Sequence, residues 1–246
     1  MHPGTNDLDY LATRLHARRS RMAEGERLDA LCNIRTISEL GRATRLEADC
    51  PTAAEFQREL VRDLVWELAG WVKHVGGAGG ELFAWMLVRF QVENMKIFVR
   101  AFVNQTAPEI LREHLVTLPE GLVLDVKGLA AAKSLEDFIQ CLPPGAPRRH
   151  LSEAVAAHRD HLQLFYLEAA LDRGFFQELL AKTRQLSGED LAIFRPLALQ
   201  EANFFQFMHV VRGRFHFDLP SDVLFALRLP GISEDWFKIL LTVPDL

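Results

Sequence analysis

The residues best suited to chemistry are the histidines of "HRDH" at positions 158–161. His158 and His161 are three residues apart, which places both on one face of a helix, where two imidazoles can begin a metal site. The sequence HRDH also begins like the HRD motif of the catalytic loop of protein kinases. Neither chemistry is complete, because the sequence has no HExxH, no evident third ligand, no DFG and no asparagine at kinase spacing. A surface helix is the favoured interpretation, and His150 is the one further histidine considered for an enzymatic site.

Other catalytic patterns are absent from the sequence. The glycine run "GGAGG" at 76–80 matches neither GxGxxG nor a P-loop, and it is predicted to be a flexible loop between helices. There is no GxSxG elbow and no ExxH carboxylate pair. Three cysteines without CxxC spacing, Cys32, Cys50 and Cys141, favour a reducing setting over a disulfide scaffold or a zinc site. We therefore predict no catalytic residue, no metal and no cofactor in this chain.

Composition limits the class of partner. The chain has 246 residues, of which 49% are hydrophobic and 25% charged, as expected of a globular protein with a core. A net charge of −5 provides no overall basic field for nucleic acid, so protein partners are favoured. One local exception is a stripe of Arg14, Arg18 and Arg21, which could meet RNA, acidic lipid or an acidic protein surface. A solvated face, or one with salt bridges inside the molecule, is the favoured interpretation of that stripe.

Two apolar stretches carry buried-looking amides at the same three-residue spacing. They are Gln91 and Asn94 in "QVENMKIFVRAF" and Gln200 and Asn203 in "QEANFFQFMHVV". At 100° per residue, each pair falls on the apolar side of its helix. We therefore predict that all four amides are buried and bond to free backbone groups at the ends of neighbouring helices, because an unpartnered buried amide is costly. Binding of a ligand by these amides is the less favoured alternative.

The opposite side of the first stretch is predicted to face solvent. Its charged residues recur at spacings of 4, 3 and 4, as expected of a solvated stripe: Arg89, Glu93, Lys96 and Arg100. These charges also argue against a membrane span in the hydrophobic window at 81–103, which is predicted to be a soluble core helix.

The elements that position these residues are predicted to be helices throughout. Leu, Ala, Glu, Arg and Phe dominate, strand-like alternation is hard to find, and the predicted class is all-α. A Leu-Pro break follows each amide motif, with Pro119 25 residues after Asn94 and Pro230 27 residues after Asn203. This order predicts a repeat of about 110 residues. The predicted modules are 1–142, which includes the N-terminal basic helix, and 143–246.

These motifs together resemble the C/AC39 subunit family of V-type and A-type rotary ATPases, whose stalk subunit is called C or d. The resemblance is carried by an Asn followed six residues later by a basic residue, by the Leu-Pro-Gly break, and by "LEAALDRGFFQELL" and "DYLATRLHARRSRM". It covers nearly the whole chain. Asn94 and Arg100 match the first motif copy and Asn203 the second, whereas His209 stands where the family has an arginine. Gln91 and Gln200 stand where the family usually has an acidic residue.

The resemblance implies an all-α fold of repeated multi-helix modules and a mechanical function without catalysis. The chain is expected to be an adaptor between the central-stalk subunits and the membrane proteolipid ring. Other chains would then hydrolyse ATP and translocate protons or sodium ions. It implies a peripheral location on the cytoplasmic side of the membrane, with membrane contact only through partners and no direct nucleotide. Family members generally have three modules, so a chain with two copies is expected to be a shortened member or an incomplete sequence.

An alternative of another class stays open. The same modules could form a free-standing helical protein-binding module that no longer belongs to a rotary ATPase. The altered positions Gln91, Gln200 and His209 favour that alternative. An enzymatic function would require a cluster of titratable residues, for which the sequence offers only His150, His158 and His161.

Overall fold

A computed structural model describes residues 5–46, 50, 52–106, 111, 113–157 and 163–242, and these residues form twelve α-helices and no strand. The first five are α1 (Thr5–Arg19), α2 (Glu26–Cys32), α3 (Ile37–Thr44), α4 (Ala53–Val72) and α5 (Gly77–Asn104). Three shorter ones follow, α6 (Val126–Ala131), α7 (Leu135–Cys141) and α8 (Ala146–Ala157). The last four are α9 (Leu164–Thr183), α10 (Gly188–Phe215), α11 (Ser221–Ala226) and α12 (Glu234–Thr242). The prediction of an all-α fold is confirmed.

Local signals explain where several helices begin. Thr52 and Glu55 form a capping box, in which the Thr52 hydroxyl accepts from the Glu55 N–H at 3.2 Å and the Glu55 carboxylate accepts from the Thr52 N–H at 3.1 Å. Ser134 caps α7 in the simpler way, because its hydroxyl accepts from the Asp137 N–H at 3.0 Å. Each cap of this kind stabilises a helix by about 1 kcal/mol.

The predicted glycine loop is wrong. Four of its residues, 77–80, form the first turn of α5. Gly77 has φ of 61°, and a Cβ on Gly80 would lie 2.1 Å from the carbonyl oxygen of Val75. Glycine is needed here because the chain turns tightly into the helix, and this requirement, not flexibility, accounts for the run.

The chain divides into two compact units. Unit 1 consists of the described residues of Met1–Asn94 and Ala107–Val123, and unit 2 of those of Met95–Thr106 and Leu124–Leu246. The predicted module boundary at 142/143 concerns the sequence repeat, and it stays a prediction. None of the described helices combines the length and apolar character needed to cross a membrane.

In unit 1, α1 contacts α4 and the residues just after it. Arg18 forms an ion pair with Glu67, and the Tyr10 ring lies 4.9 Å from that of His74. Arg14 in turn lies over the Tyr10 ring at 5.7 Å and donates to its hydroxyl at 3.1 Å. The predicted intramolecular salt bridge of the basic stripe is thus confirmed at Arg18, whereas Arg14 contacts an aromatic side chain of its own helix.

In unit 2, α9 is the central helix. Its residues 165–172 are all buried, and the helix packs against α8 and α10. A helix that is buried on every side is typical of the middle of a bundle. Gly174 allows the close approach of α8, because a Cβ there would lie 2.6 Å from the Cα of Pro147.

Candidate functional site: two amide anchors and a buried ion network

Asn94 holds an irregular segment of unit 1 by two hydrogen bonds. The side chain is 5% exposed, its Nδ2 donates to the Val116 carbonyl at 2.8 Å, and its Oδ1 accepts from the Val116 N–H at 3.0 Å. Gln91 adds a third bond, from its Nε2 to the Leu122 carbonyl at 2.9 Å. Residues 115–119 are not helical, so their backbone groups need partners outside the segment. The predicted burial of Gln91 and Asn94 and their bonds to free backbone groups are confirmed.

The same prediction is wrong for the second stretch. Gln200 and Asn203 are exposed on α10, whereas Gln206, which the prediction did not include, is fully buried. The Gln206 Oε1 accepts from the Leu229 N–H, directly before Pro230. Gln206 has the role in the second half that Asn94 has in the first. Asn94 holds the backbone at Val116, two residues before Leu118-Pro119, and Gln206 holds it at the leucine of Leu229-Pro230. The two elements formed by an amide and the backbone that it holds are called here the Asn94 anchor and the Gln206 anchor.

The rotation of α10 about its own axis explains why the prediction failed for Gln200 and Asn203. Its buried residues recur at helical spacing towards one side: Ala198, Ala202, Gln206, His209, Val210 and Gly213. Gln200 and Asn203 fall outside this face. Because apolar residues occupy both faces of α10, composition alone did not reveal which face points inward.

A buried carboxylate joins α5, α9 and α10 within unit 2. Glu168 on α9 is 3% exposed; its Oε1 accepts from Arg100 Nε, and its Oε2 accepts from Arg212 Nη2 at 3.1 Å. Burial by itself would raise the pKa of Glu168, but the hydrogen bonds and charge of Arg100, and then those of Arg212, outweigh it and hold the pKa below its usual range.

The two arginines are related in sequence as the two anchors are. The step along the chain from Arg100 to Arg212 equals the step from Asn94 to Gln206. This common step is called here the repeat offset. Each half of the chain thus supplies one anchoring amide and one arginine, and both arginines bind the same carboxylate.

A second ion pair lies beside the first. Lys96 Nζ is 2.6 Å from the Asp172 carboxylate, and both residues are buried. The predicted solvated stripe is therefore wrong at Lys96, because α9 supplies a carboxylate that the local sequence of α5 cannot reveal. It is correct at Arg89 and Glu93, which form a partly exposed i,i+4 pair at 2.7 Å.

His209, which stands where the resemblance expects an arginine, is a buried neutral ring. Burial, and then the charges of Arg212 and Arg173, lower its pKa from 6.5 to about 3. Its ring centroid lies 4.7 Å from that of Phe165 and 5.6 Å from that of Phe205. A neutral imidazole among aromatic rings cannot provide the positive charge of an arginine, which Arg212 provides three residues later.

The histidines considered for an enzymatic site are only partly described. His158 and His161 lie outside the described residues. His150 is buried, and burial is the main cause that lowers its pKa below 6.5. The carboxylate of Glu153, 3.2 Å from its Nδ1, acts in the opposite direction but does not outweigh burial. Among the residues that the structure describes, no three His, Cys, Asp or Glu side chains are grouped as a metal site requires.

The amide hydrogen bonds and buried ion pairs hold helices and loops in place, and the buried charged groups pair with one another. The amides do not titrate and bond to the backbone, and the two buried carboxylates are paired with cations. The class of protein defined by these features is an all-helical protein whose described polar interior holds helices and loops together. Sequence reasoning missed Gln206, Arg212, Glu168 and Asp172, although the repeat offset was a usable signal for the first two.

Comparison with known proteins gives the family. The model of the ATP synthase (C/AC39) subunit family matches residues 11–239, so the chain belongs to this family. The predicted family is thereby confirmed, and the chain is related to a subunit of V/A-type ATPases. No curated protein matches the chain.

Proposed function

We propose that this chain is a non-catalytic adaptor of a V/A-type rotary ATPase, joining the central stalk to the membrane proteolipid ring. The observation that carries the proposal is the family match over residues 11–239. In this function the chain has no nucleotide, metal or cofactor of its own, and it takes part in proton or sodium transport only by transmitting torque. Its location is peripheral, on the cytoplasmic side of the membrane, with contact to the membrane through its partners.

The interior of unit 2 supports a mechanical role. Glu168 ties α5 and α10 to α9, and the Lys96–Asp172 pair adds a second link between α5 and α9. Directional, buried ionic contacts resist sliding of packed helices, because any shift leaves a charge without its partner. An adaptor under torque requires such resistance to shear.

The proposed motif residues follow the anchors. We propose Asn94 with Arg100 as the first copy of the family motif and Gln206 with Arg212 as the second, in modules 1–142 and 143–246. The repeat offset and the matched hydrogen bonds support this assignment over one based on Gln200, Asn203 and His209.

The proposal is tested by affinity purification of the tagged full-length chain from gently solubilised native membranes, with mass spectrometry of the co-purifying proteins. We expect proteolipid-ring and central-stalk subunits to be enriched over an untagged control. Recovery of neither kind of subunit would contradict the adaptor role and favour the free-standing protein-binding module.

A further inference from the structure

The helix α1 is attached to the rest of unit 1 by few buried groups. Among the side chains described in residues 9–46, which include most of α1 and all of α2 and α3, only Leu11 and Gly41 are buried. The helix α1 meets α4 and the turn after it through the Arg18–Glu67 ion pair and the Tyr10–His74 ring contact. A helix of 15 residues is marginally stable by itself, so α1 depends on this contact.

These two contacts fix how α1 lies on α4. Tyr10, near the start of α1, meets His74, and Arg18, near its end, meets Glu67, so α1 runs antiparallel to α4. Leu11 and Arg18 are seven residues apart and therefore share one face of α1. Since α1 ends one residue after Arg18, it lies alongside the last turns of α4 and does not reach the earlier ones.

The position of α1 explains why Trp71 on α4 is buried. At 100° per residue, Trp71 lies on the same side of α4 as Glu67, Leu60 and Leu64. Leu60 and Leu64, in the turns that α1 does not reach, are 40% and 37% exposed, whereas Trp71 is 8% exposed. The same side of one helix is thus exposed beyond α1 and buried beside it, which assigns the cover of Trp71 to α1.

The covered position leaves one polar atom of Trp71 unsatisfied. Its Nε1 is buried and has no hydrogen-bond partner among the described residues. A buried indole N–H without an acceptor opposes burial, because it has given up its hydrogen bond to water. Removal of α1 returns this N–H to water. The ion pair that is broken at the same time is half exposed on the side of Arg18, so it contributes little to holding α1 in place.

We propose that α1 is a lid that opens and closes over Trp71 while the rest of the fold stays intact. The closed form buries Leu11 and Trp71, and the open form exposes both. Opening breaks one apolar contact, one ring contact and one exposed ion pair, and it satisfies the indole N–H. Elements held by so few buried groups open locally in native proteins, without global unfolding. The lid does not depend on the proposed ATPase role.

The first test is peptide-resolved hydrogen exchange of the full-length chain in low concentrations of urea. Amides of α1 should exchange at least about 100-fold faster than those of α9, at a rate nearly independent of urea, because local opening exposes little surface. The buried helix α9 should exchange by global unfolding and respond steeply to urea. Protection of α1 equal to that of α9, with the same urea dependence, would overturn the proposal. So would exchange of α1 at the rate of an unfolded peptide, because no closed form would then exist.

The second test compares two identical substitutions in α1. Leu11→Ala removes the buried contact and should speed the exchange of α1 about 10-fold. It should also raise the oxidation of Trp71 by hydroxyl radicals relative to that of the 51% exposed Trp66. Leu15→Ala is the matched control, one turn further along α1 at a position that is 50% exposed, and it should change neither quantity.

Unchanged exchange of α9 verifies that each variant is folded. Equal effects of Leu11→Ala and Leu15→Ala would overturn the proposal, because α1 would then not be held by its buried face. Faster exchange of α1 without greater oxidation of Trp71 would also overturn it, because Trp71 would then be covered by another element.

Discussion

The Asn94 anchor and the Gln206 anchor both hold the backbone near a Leu-Pro break, but Asn94 makes two hydrogen bonds to it and Gln206 makes one. Asn94 uses both ends of its amide, one to donate to Val116 and one to accept from it. Gln206 uses only its oxygen, and its buried Nε2 has no hydrogen-bond partner among the described residues. Each half of the chain thus has a buried amide at its Leu-Pro break, and the two amides differ in how many of their hydrogen-bonding atoms have partners.

The residues beside the two anchors also differ. The first has Lys96 paired with Asp172, and the corresponding residue near the second is the exposed Met208. The second has the neutral His209 where the first has Ile97. Exchanging these residues between the two elements tests which differences matter for stability.

The largest effect is expected from Lys96→Met, which gives the first element the residue of the second. Removing the lysine breaks this buried ion pair at Asp172, and breaking a buried pair by removing one member typically costs about 3–5 kcal/mol. Chemical denaturation should show a correspondingly lower free energy of unfolding. Arg89→Met, which breaks a partly exposed pair, is the control and should cost less than about 1 kcal/mol. Equal losses in both variants would show that burial of the Lys96 pair is unimportant.

The next effect compares the anchors directly. Asn94→Leu removes the partners of both Val116 backbone groups, and we expect a loss of about 2–4 kcal/mol. Gln206→Leu leaves only the Leu229 N–H unpartnered and also removes an unsatisfied buried amide nitrogen, so about 1 kcal/mol is expected. The exposed Asn203 serves as the control, and Asn203→Gln should leave the unfolding free energy nearly unchanged. A greater loss for Gln206→Leu than for Asn94→Leu would reverse the ranking.

A smaller, pH-dependent effect is expected at His209. The unfolded chain binds a proton near pH 6.5 and the folded chain only near pH 3, so His209 lowers stability progressively as the pH falls below 6.5, by at most about 1.4 kcal/mol per pH unit. His209→Ile should flatten the dependence of the unfolding free energy on pH between 6.5 and 5 relative to the wild type. Unfolding curves measured across that range decide the matter, and parallel profiles would mean that His209 is accessible to protons when folded.

The smallest single effects are expected at the two arginines that share Glu168. Their side chains are 48% and 47% exposed, so Arg100→Met or Arg212→Met alone should cost about 1 kcal/mol while the other arginine still pairs with the carboxylate. The double variant leaves Glu168 buried and unpaired and should lose clearly more than the two single changes added together. Simple additivity in this double-mutant cycle would argue against a shared site.

The sequence predicted the helical class and the first anchor because both depend on local signals. Breakers and caps limit the helices, and the 100° rule places Gln91 and Asn94 on the inner side of α5. The prediction failed for the second anchor because exposed apolar side chains such as Phe204 and Met208 make the outer face of α10 as apolar as the inner one. The ion pairs of Lys96 and Glu168 join residues distant in the chain, so periodicity within one helix does not reveal them.

The adaptor role is tested most directly by ATP-driven ion uptake into inverted membrane vesicles, measured with and without this chain in the membranes. Without it, proton or sodium uptake should be lost while ATP hydrolysis by the stalk-bearing part of the complex persists, and adding the purified chain should restore uptake. Vesicles that lack the chain and still take up ions at the wild-type rate would contradict a function in torque transmission.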